Sequence, residues 1–403
     1  VPEKPHNSEW APHIWEGACF SAWVRLLATN RFAVHFRYWW VAAIATVVTF
    51  MHSVFWLIEQ IFWRHRFQKT PRPDDPIFIL GHWRTGTTLL HELMIRDHRH
   101  CYPNTYQCME PNHFHIAEAF VTRFMPFLLP KRRPMDDMPT GWDRPQEDEF
   151  ALCMMGQPSP YTHIGFPNNP PVDLDALDFR GFTEQQKAKW AAALADFLRR
   201  VAVLHPGKRL VLKSPPHSAR IAVLVKRFPN ARFIHIVRNP YVVFPSTLRL
   251  WSALYRNHTL QVPDHSQLEN FVVQCGQRLY GALERDSHLI PAQRFHELRY
   301  EDLIANPVLE MEKLYRKLEL GAFAEVRPMI ESYFAGHRDY KPNRHEVTPE
   351  IRAKVNQHWS EIVQRFGYAD RQETAPIVHR RDGEGAEKNR GDLRELVASA
   401  KSA

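Results

Sequence analysis

Two hydrophobic patterns alternate along most of this chain. Short apolar runs with β-branched residues stand at Ile77–Leu80 (IFIL), Arg209–Lys213 (RLVLK) and Arg232–Val237 (RFIHIV), and a more polar stretch, Gln293–Tyr300 (QRFHELRY), supplies a fourth strand. Stretches with helical apolar spacing follow three of them, at Thr87–Asp97, Ala219–Phe228 and Val308–Leu318. Runs that are apolar at nearly every position suit strands buried on both faces, and their alternation with helices predicts an α/β fold with a central parallel sheet covered by helices on both sides. The proline-rich, polar stretch Thr70–Pro76 (TPRPDDP) reads as the linker into this core. Between residues 101 and 206 lies a long insertion rich in Pro, Met, His and aromatic residues, a composition that suits a substrate-facing wall. The organisation expected is therefore a helical N-terminal segment over residues 1–70, a catalytic domain over 71–370, and a charged tail over 371–403 with a short helix at Leu393–Ala400.

A third pattern fills Tyr38–Ile58, YWWVAAIATVVTFMHSVFWLI, which is apolar all round and has no formally charged side chain. As a helix it is long enough to cross the hydrocarbon core of a bilayer. His52, Thr46, Thr49 and Ser53 interrupt it, and basic residues flank both ends: Arg25, Arg31 and Arg37 before, Arg64, Arg66, Lys69 and Arg72 after. The positive-inside rule then assigns no orientation. Three readings stand open: a membrane span, an interfacial helix with Trp39, Trp40, Trp56 and Trp63 at headgroup depth, and a helix buried against the catalytic domain.

Composition narrows the partner. The 403-residue chain is 44% hydrophobic and 24% charged, ordinary for a globular protein, and its formal net charge of +8 points to anionic ligands. Five widely spaced cysteines without a C-x-x-C pair suggest a reducing compartment and no cysteine zinc site. His98, His100, His113 and His115 lack spaced partners, so no metal is assigned to them. The run Lys131-Arg132-Arg133 reads as a solvated loop or a contact for acidic headgroups.

The chemistry concentrates in Pro76–Leu90, PIFILGHWRTGTTLL, the layout of a strand feeding a phosphate-cradling turn. Gly81 and Gly86 have the spacing of the nucleotide pattern G-x-x-x-x-G-K-(S/T), yet Thr87 holds the lysine position and the basic residue lies inside the loop as Arg84. Gly81 permits the turn, Gly86 lets the backbone approach an anion, and the N–H groups of Thr87, Thr88 and Leu89 open a helix aimed at it. Arg84 adds a forked cation. This loop suits a phosphate, in a P-loop-like three-layer fold, but not ATP hydrolysis.

A second grip follows the third strand: Arg238-Asn239-Pro240, with Ser246 on the next helix. Two separated grips on one sheet imply a ligand with two anionic groups. Here the chain resembles the sulfotransferases that use 3′-phosphoadenosine 5′-phosphosulfate (PAPS). Arg84-Thr85-Gly86-Thr87-Thr88 matches the family's (K/R)-(S/T)-G-T-T loop for the 5′-phosphosulfate. Arg238-Asn239-Pro240 with Ser246 matches the R-(N/D)-P-x(5)-S motif for the 3′-phosphate, and Tyr300-Glu301-Asp302-Leu303 with Asn306-Pro307 matches a segment whose tyrosine lies near the adenine. The combination with RPMDDM, PQEDEF and LKSPPHS is closest to the broad bacterial-type branch.

The resemblance implies in-line sulfuryl transfer to a hydroxyl or amine, with PAPS as co-substrate and no metal. Arg84 would stabilise the leaving phosphate and Lys213, at a strand end, would stand near the transferred group. For the base, the acidic run Glu147-Asp148-Glu149 ranks first, represented by Glu147 and Glu149, then His217, then Glu110. The alternative for the acidic run is complementing a helix dipole. The aromatic, Met-rich insertion favours an apolar or lipid-like small-molecule acceptor, and no nucleic-acid partner is expected. The competing readings are a P-loop kinase, disfavoured by Thr87, and an inactive membrane-associated nucleotide-binding module. Donor supply favours a cytoplasmic enzyme, membrane-associated through residues 38–58.

Overall fold

Alternate residues of β1 (Ile77–Leu80) point to opposite faces of a five-stranded sheet, and all four are fully buried. A computed structural model describes residues 13–129, 140–336 and 347–369 of the chain. The strands run in the order β2-β3-β1-β4-β5, every pair parallel, with β2 at His100–Cys101, β3 at Arg209–Lys213, β4 at Arg232–Val237 and β5 at Phe295–Arg299. The helices are α1 (Phe20–Thr29), α2 (Trp39–Lys69), α3 (Thr87–Met94), α4 (Thr105–Met109), α5 (Phe114–Phe124), α6 (Asp148–Met154), α7 (Glu184–Leu204), α8 (Ile221–Arg227), α9 (Pro240–His258), α10 (Leu268–Asp286), α11 (Tyr300–Ala305) and α12 (Pro307–Leu318). Two more follow at Arg327–Gly336 and Pro349–Arg365.

The pleat sorts the core into two layers. Ile77, Ile79, Val211, Ile234 and Ile236 meet Leu90, Leu93 and Met94 of α3 and Met311, Leu314 and Leu318 of α12. On the opposite face Phe78, Leu80, Leu212 and Phe233 join the larger core, to which α7, α9 and α10 contribute Trp190, Trp251 and Leu279. This is the expected three-layer arrangement, and it brings the C-terminal ends of β3, β1 and β4 side by side.

Boundaries differ from expectation for local reasons. Helix α3 stops at Met94 rather than Asp97. The Asp97 carboxylate accepts from the Arg99 backbone N–H (3.0 Å) and guanidinium (2.8 Å), closing a turn in place of a further helical turn. Gln293 lies in a short 3-10 turn after Pro291, so β5 begins at Phe295. Strand β2, only two residues long, is not visible in the apolar pattern. The expected tail helix at 393–400 and the basic run at 131–133 lie outside the described residues.

Helix α2 lays one stripe, Val41, Ala45, Thr49, Glu59 and Phe67, against the protein. The fully buried Glu59 carboxylate pairs with Arg200 of α7 and accepts from the His115 N–H at 2.9 Å. By length and composition the helix could cross a membrane, and only 17% of its most apolar stretch is buried. It is therefore not the enclosed core helix that one reading of the sequence allowed.

Candidate active site

The loop after β1 has a backbone that only its own residues fit. Gly81 has φ +152° and Gly86 +98°. A Cβ at Gly81 would lie 2.8 Å from the Ile236 carbonyl, and one at Gly86 would lie 2.3 Å from Cδ2 of Tyr300. Arg84 is itself left-handed, at φ +69°, a conformation that costs a non-glycine residue roughly 1 kcal/mol or more and often marks a functional turn. Thr87 opens α3 immediately after Gly86, and Thr87 is buried while Thr88 is half-buried. The Thr85 hydroxyl turns inward, donating to the His82 carbonyl at 2.8 Å, so it braces the loop.

Because β1 and β4 are neighbours, the two motifs that follow them meet. Arg84 Nε donates to Ser246 Oγ at 3.0 Å, and Arg238 Nη1 donates to the Arg84 carbonyl at 3.0 Å. The Arg238 guanidinium lies 4.2 Å from the centre of the Tyr300 ring, which also closes over Gly86. Arg84, Gly86, Arg238, Ser246 and Tyr300 thus form one constellation. It has the cationic and glycine character that a bis-anionic nucleotide requires.

At the end of β3 the acidic run separates. Lys213 Nζ donates to Glu147 Oε1 at 2.7 Å. Glu147 Oε2 accepts from the Tyr161 hydroxyl, whose oxygen accepts from Trp83 Nε1 at 3.0 Å. Burial and then the Glu147 charge push the Tyr161 phenol well above its ordinary pKa, so it remains a donor. Trp83 belongs to the anion loop, and the chain of bonds therefore ties Glu147 and Lys213 to it. Asp148 instead pairs with His217 Nε2 at 2.6 Å and accepts from Ser214 Oγ at 2.8 Å. Burial favours the neutral Asp148 acid, but the His217 and Ser214 contacts outweigh it and hold the carboxyl below its usual range.

Glu149 is bound by Arg220 through Nη1 at 2.5 Å and Nη2 at 3.0 Å, with Ser159 Oγ donating at 2.6 Å. Glu149, Asp148 and His217 are all fully buried. The structure gives neither Glu149 nor His217 a face toward an acceptor. Glu110 stands apart from Lys213, its Oε2 lying 2.9 Å from His52 Nδ1 and 3.4 Å from His113 Nε2. Among the described residues these three bring ligand-type atoms within 4.8 Å of one another. Sequence reasoning missed Trp83 and Tyr161. Trp83 could have been flagged by its place inside GHWRTGTT, whereas Tyr161 carried no signal.

A family model described as "Sulfotransferase family" matches residues 76–325, which include every motif above. The chain belongs to the sulfotransferase family. Two relatives, the omega-hydroxy-beta-dihydromenaquinone-9 sulfotransferases Stf3 of Mycobacterium bovis and Mycobacterium tuberculosis, are each 46% identical over 360 residues, covering 89% of this chain and 92% of theirs. Among solved structures, sulfotransferase STF9 from Mycobacterium avium superposes with a TM-score of 0.61 at 18% identity, covering 81% of this chain and 85% of that one. STF1 from Mycobacterium tuberculosis gives 0.53 at 16% identity, covering 78% and 86%. These two support the fold. This sulfotransferase is thus an enzyme of PAPS-dependent sulfuryl transfer, which sets aside the kinase and inactive-module readings.

Proposed function

We propose that this enzyme sulfates the hydroxyl of a lipid-like acceptor, with Glu147 as the general base. The observation that carries the reading is the chain of hydrogen bonds from Trp83 through Tyr161 to Glu147 and Lys213, which joins an acid–base group to the anion loop. The acceptor class rests on the Stf3 relatives, which are named for a hydroxylated menaquinone derivative, together with the apolar surface of α2 and α5.

In this reading the loop N–H groups of Gly86 to Thr88 and the Arg84 guanidinium hold the 5′-phosphosulfate. Arg238 and Ser246 hold the 3′-phosphate, and Tyr300 borders the adenine. Glu147 takes the proton of the acceptor hydroxyl as its oxygen attacks sulfur. The bond between sulfur and the bridging phosphate oxygen breaks, and the electron pair leaves with the phosphate. Arg84, Lys213 and the loop amides stabilise that developing charge in place. Tyr161 orients Glu147 by donating to its second oxygen, and Trp83 orients Tyr161.

Two experiments test this. Titration calorimetry with 3′-phosphoadenosine 5′-phosphate (PAP) should show Arg238→Ala weakening affinity about ten- to a hundredfold, the worth of a charge-assisted hydrogen bond. Adenosine 5′-phosphate binding should change little, and an equal loss for both nucleotides would contradict the 3′-phosphate assignment. Incubation with sulfur-labelled PAPS should label a long-chain isoprenoid alcohol dispersed in detergent in preference to a short phenol or an oligosaccharide. Labelling confined to the short phenol or the sugar would overturn the acceptor class.

A further inference from the structure

We infer that this sulfotransferase docks on an anionic bilayer through the outer face of α2 and α5, with α2 lying flat on the surface rather than crossing it. The inference rests on the lipid-like acceptor reading for its purpose, but not for its geometry.

Opposite its buried stripe, α2 exposes Val47 (61%), Phe50 (59%), Ile61 (77%) and Phe62 (73%). Helix α5, packed beside it, exposes Phe120 and Phe124 at 57% and 61%. Soluble monomers rarely leave so continuous an apolar face uncovered. Charge selects its occupant. Between Trp39 and Lys69 the sole acidic residue is the enclosed Glu59, while Arg31 and Arg37 lie before the apolar stretch, Arg64, Arg66 and Lys69 after it, and Arg123 on α5, all exposed. A second copy would set one basic rim against another in either orientation. An anionic headgroup layer complements both rims at once.

The packing of α2 decides its orientation. The Trp23 indole of α1 donates to Thr46 Oγ1 at 3.0 Å, and the Phe20 N–H donates to Ser53 Oγ at 2.9 Å. Further along, Glu59 pairs with Arg200 of α7. The helix is thus fastened along its length to the catalytic domain. A spanning pose would either break the contacts of Thr46 and Ser53 or carry α1, with its exposed Arg25, into hydrocarbon at a cost of about 2.5 kcal/mol or more for that charge.

One short helix connects this face to the chemistry. In α4 the buried Cys108 thiol is pushed well above its ordinary pKa by burial first, with the charges of Asp148, Lys213 and Glu147 acting on it. Two residues on, Glu110 contacts His52 of α2. Helix α4 thus touches α2 through its C-cap Glu110 and packs on α6, the helix that Glu147 caps.

Flotation of the full chain with vesicles tests the inference. The enzyme should float with mixed phosphatidylglycerol–phosphatidylcholine vesicles, less with phosphatidylcholine alone, and alkaline carbonate should release it. Phe50→Ser with Phe62→Ser should lower vesicle partition by at least about tenfold. Sulfuryl transfer to a water-soluble alcohol should be unchanged in that variant. Failure to float, or retention after carbonate, would overturn flat docking, the latter by showing a span. An enzyme that floats but labels only short phenols would leave docking standing and remove the acceptor reading. One that labels detergent-dispersed lipid without floating would do the reverse.

Discussion

Glu147→Gln should lower kcat by about 10²–10⁴-fold, the usual worth of a positioned general base. PAP affinity and the unfolding midpoint should stay close to wild type. The substitution keeps the size of the side chain and removes its capacity to hold a proton from the acceptor. Its amide oxygen can still accept from Tyr161 or Lys213, and the site is open enough for the amide nitrogen to find water. The acceptor separates this role from a structural one: transfer to an acidic phenol, which needs little help losing its proton, should fall far less than transfer to an alkyl alcohol. Full activity in Glu147→Gln would remove the base assignment. A parallel loss of PAP binding would instead place the residue in the donor site.

Glu149→Gln, two residues further along and inside α6, should do the opposite. It should destabilise the protein by about 3–5 kcal/mol, because it leaves a buried guanidinium without its counter-charge. Arg220 is held between the rings of Trp190 and Phe179, at 4.6 and 5.1 Å, and donates to the Ala176 carbonyl at 2.9 Å. Among the described residues, Glu149 is the carboxylate it bonds. Replacing both partners by Glu149→Gln with Arg220→Met should recover part of the loss, since an uncharged pair of similar volume leaves no stranded charge. Urea unfolding with a constant m-value measures both variants. Unchanged stability with a large fall in kcat would make Glu149 catalytic.

That two nearby carboxylates should behave so differently shows where sequence reasoning stopped. PQEDEF identified a carboxylate cluster opening a helix, but Glu147 is its extended N-cap while Asp148 and Glu149 are helical and point about 100° apart, so each enters its own environment. Glu147 meets Lys213, Asp148 meets His217, and Glu149 meets Arg220. These partners lie 66 to 71 residues further along, on β3 and in the turn and helix start after it, so no local pattern pairs them with the acidic run. Strands β1, β3 and β4 were legible because buried parallel strands must be apolar on both faces, whereas the edge strand β5 is mixed, with Glu297 exposed. The residues proposed to hold the nucleotide could be picked out because Gly81, Gly86, Arg84, Arg238 and Ser246 belong to compact local motifs. In α2 the pattern was apolar all round and could not distinguish a packed face from a free one. The pairing of Glu59 with Arg200 supplies that distinction.

The most direct test of the account is a crystal structure of the enzyme with PAP and a long-chain alcohol. The 3′-phosphate should lie on Arg238 and Ser246, the 5′-phosphate in the loop of residues 84–88, and the alcohol oxygen within about 2.6–3.2 Å of Glu147. An alcohol oxygen seated beside another carboxylate or histidine, with Glu147 still closed between Lys213 and Tyr161, would contradict it.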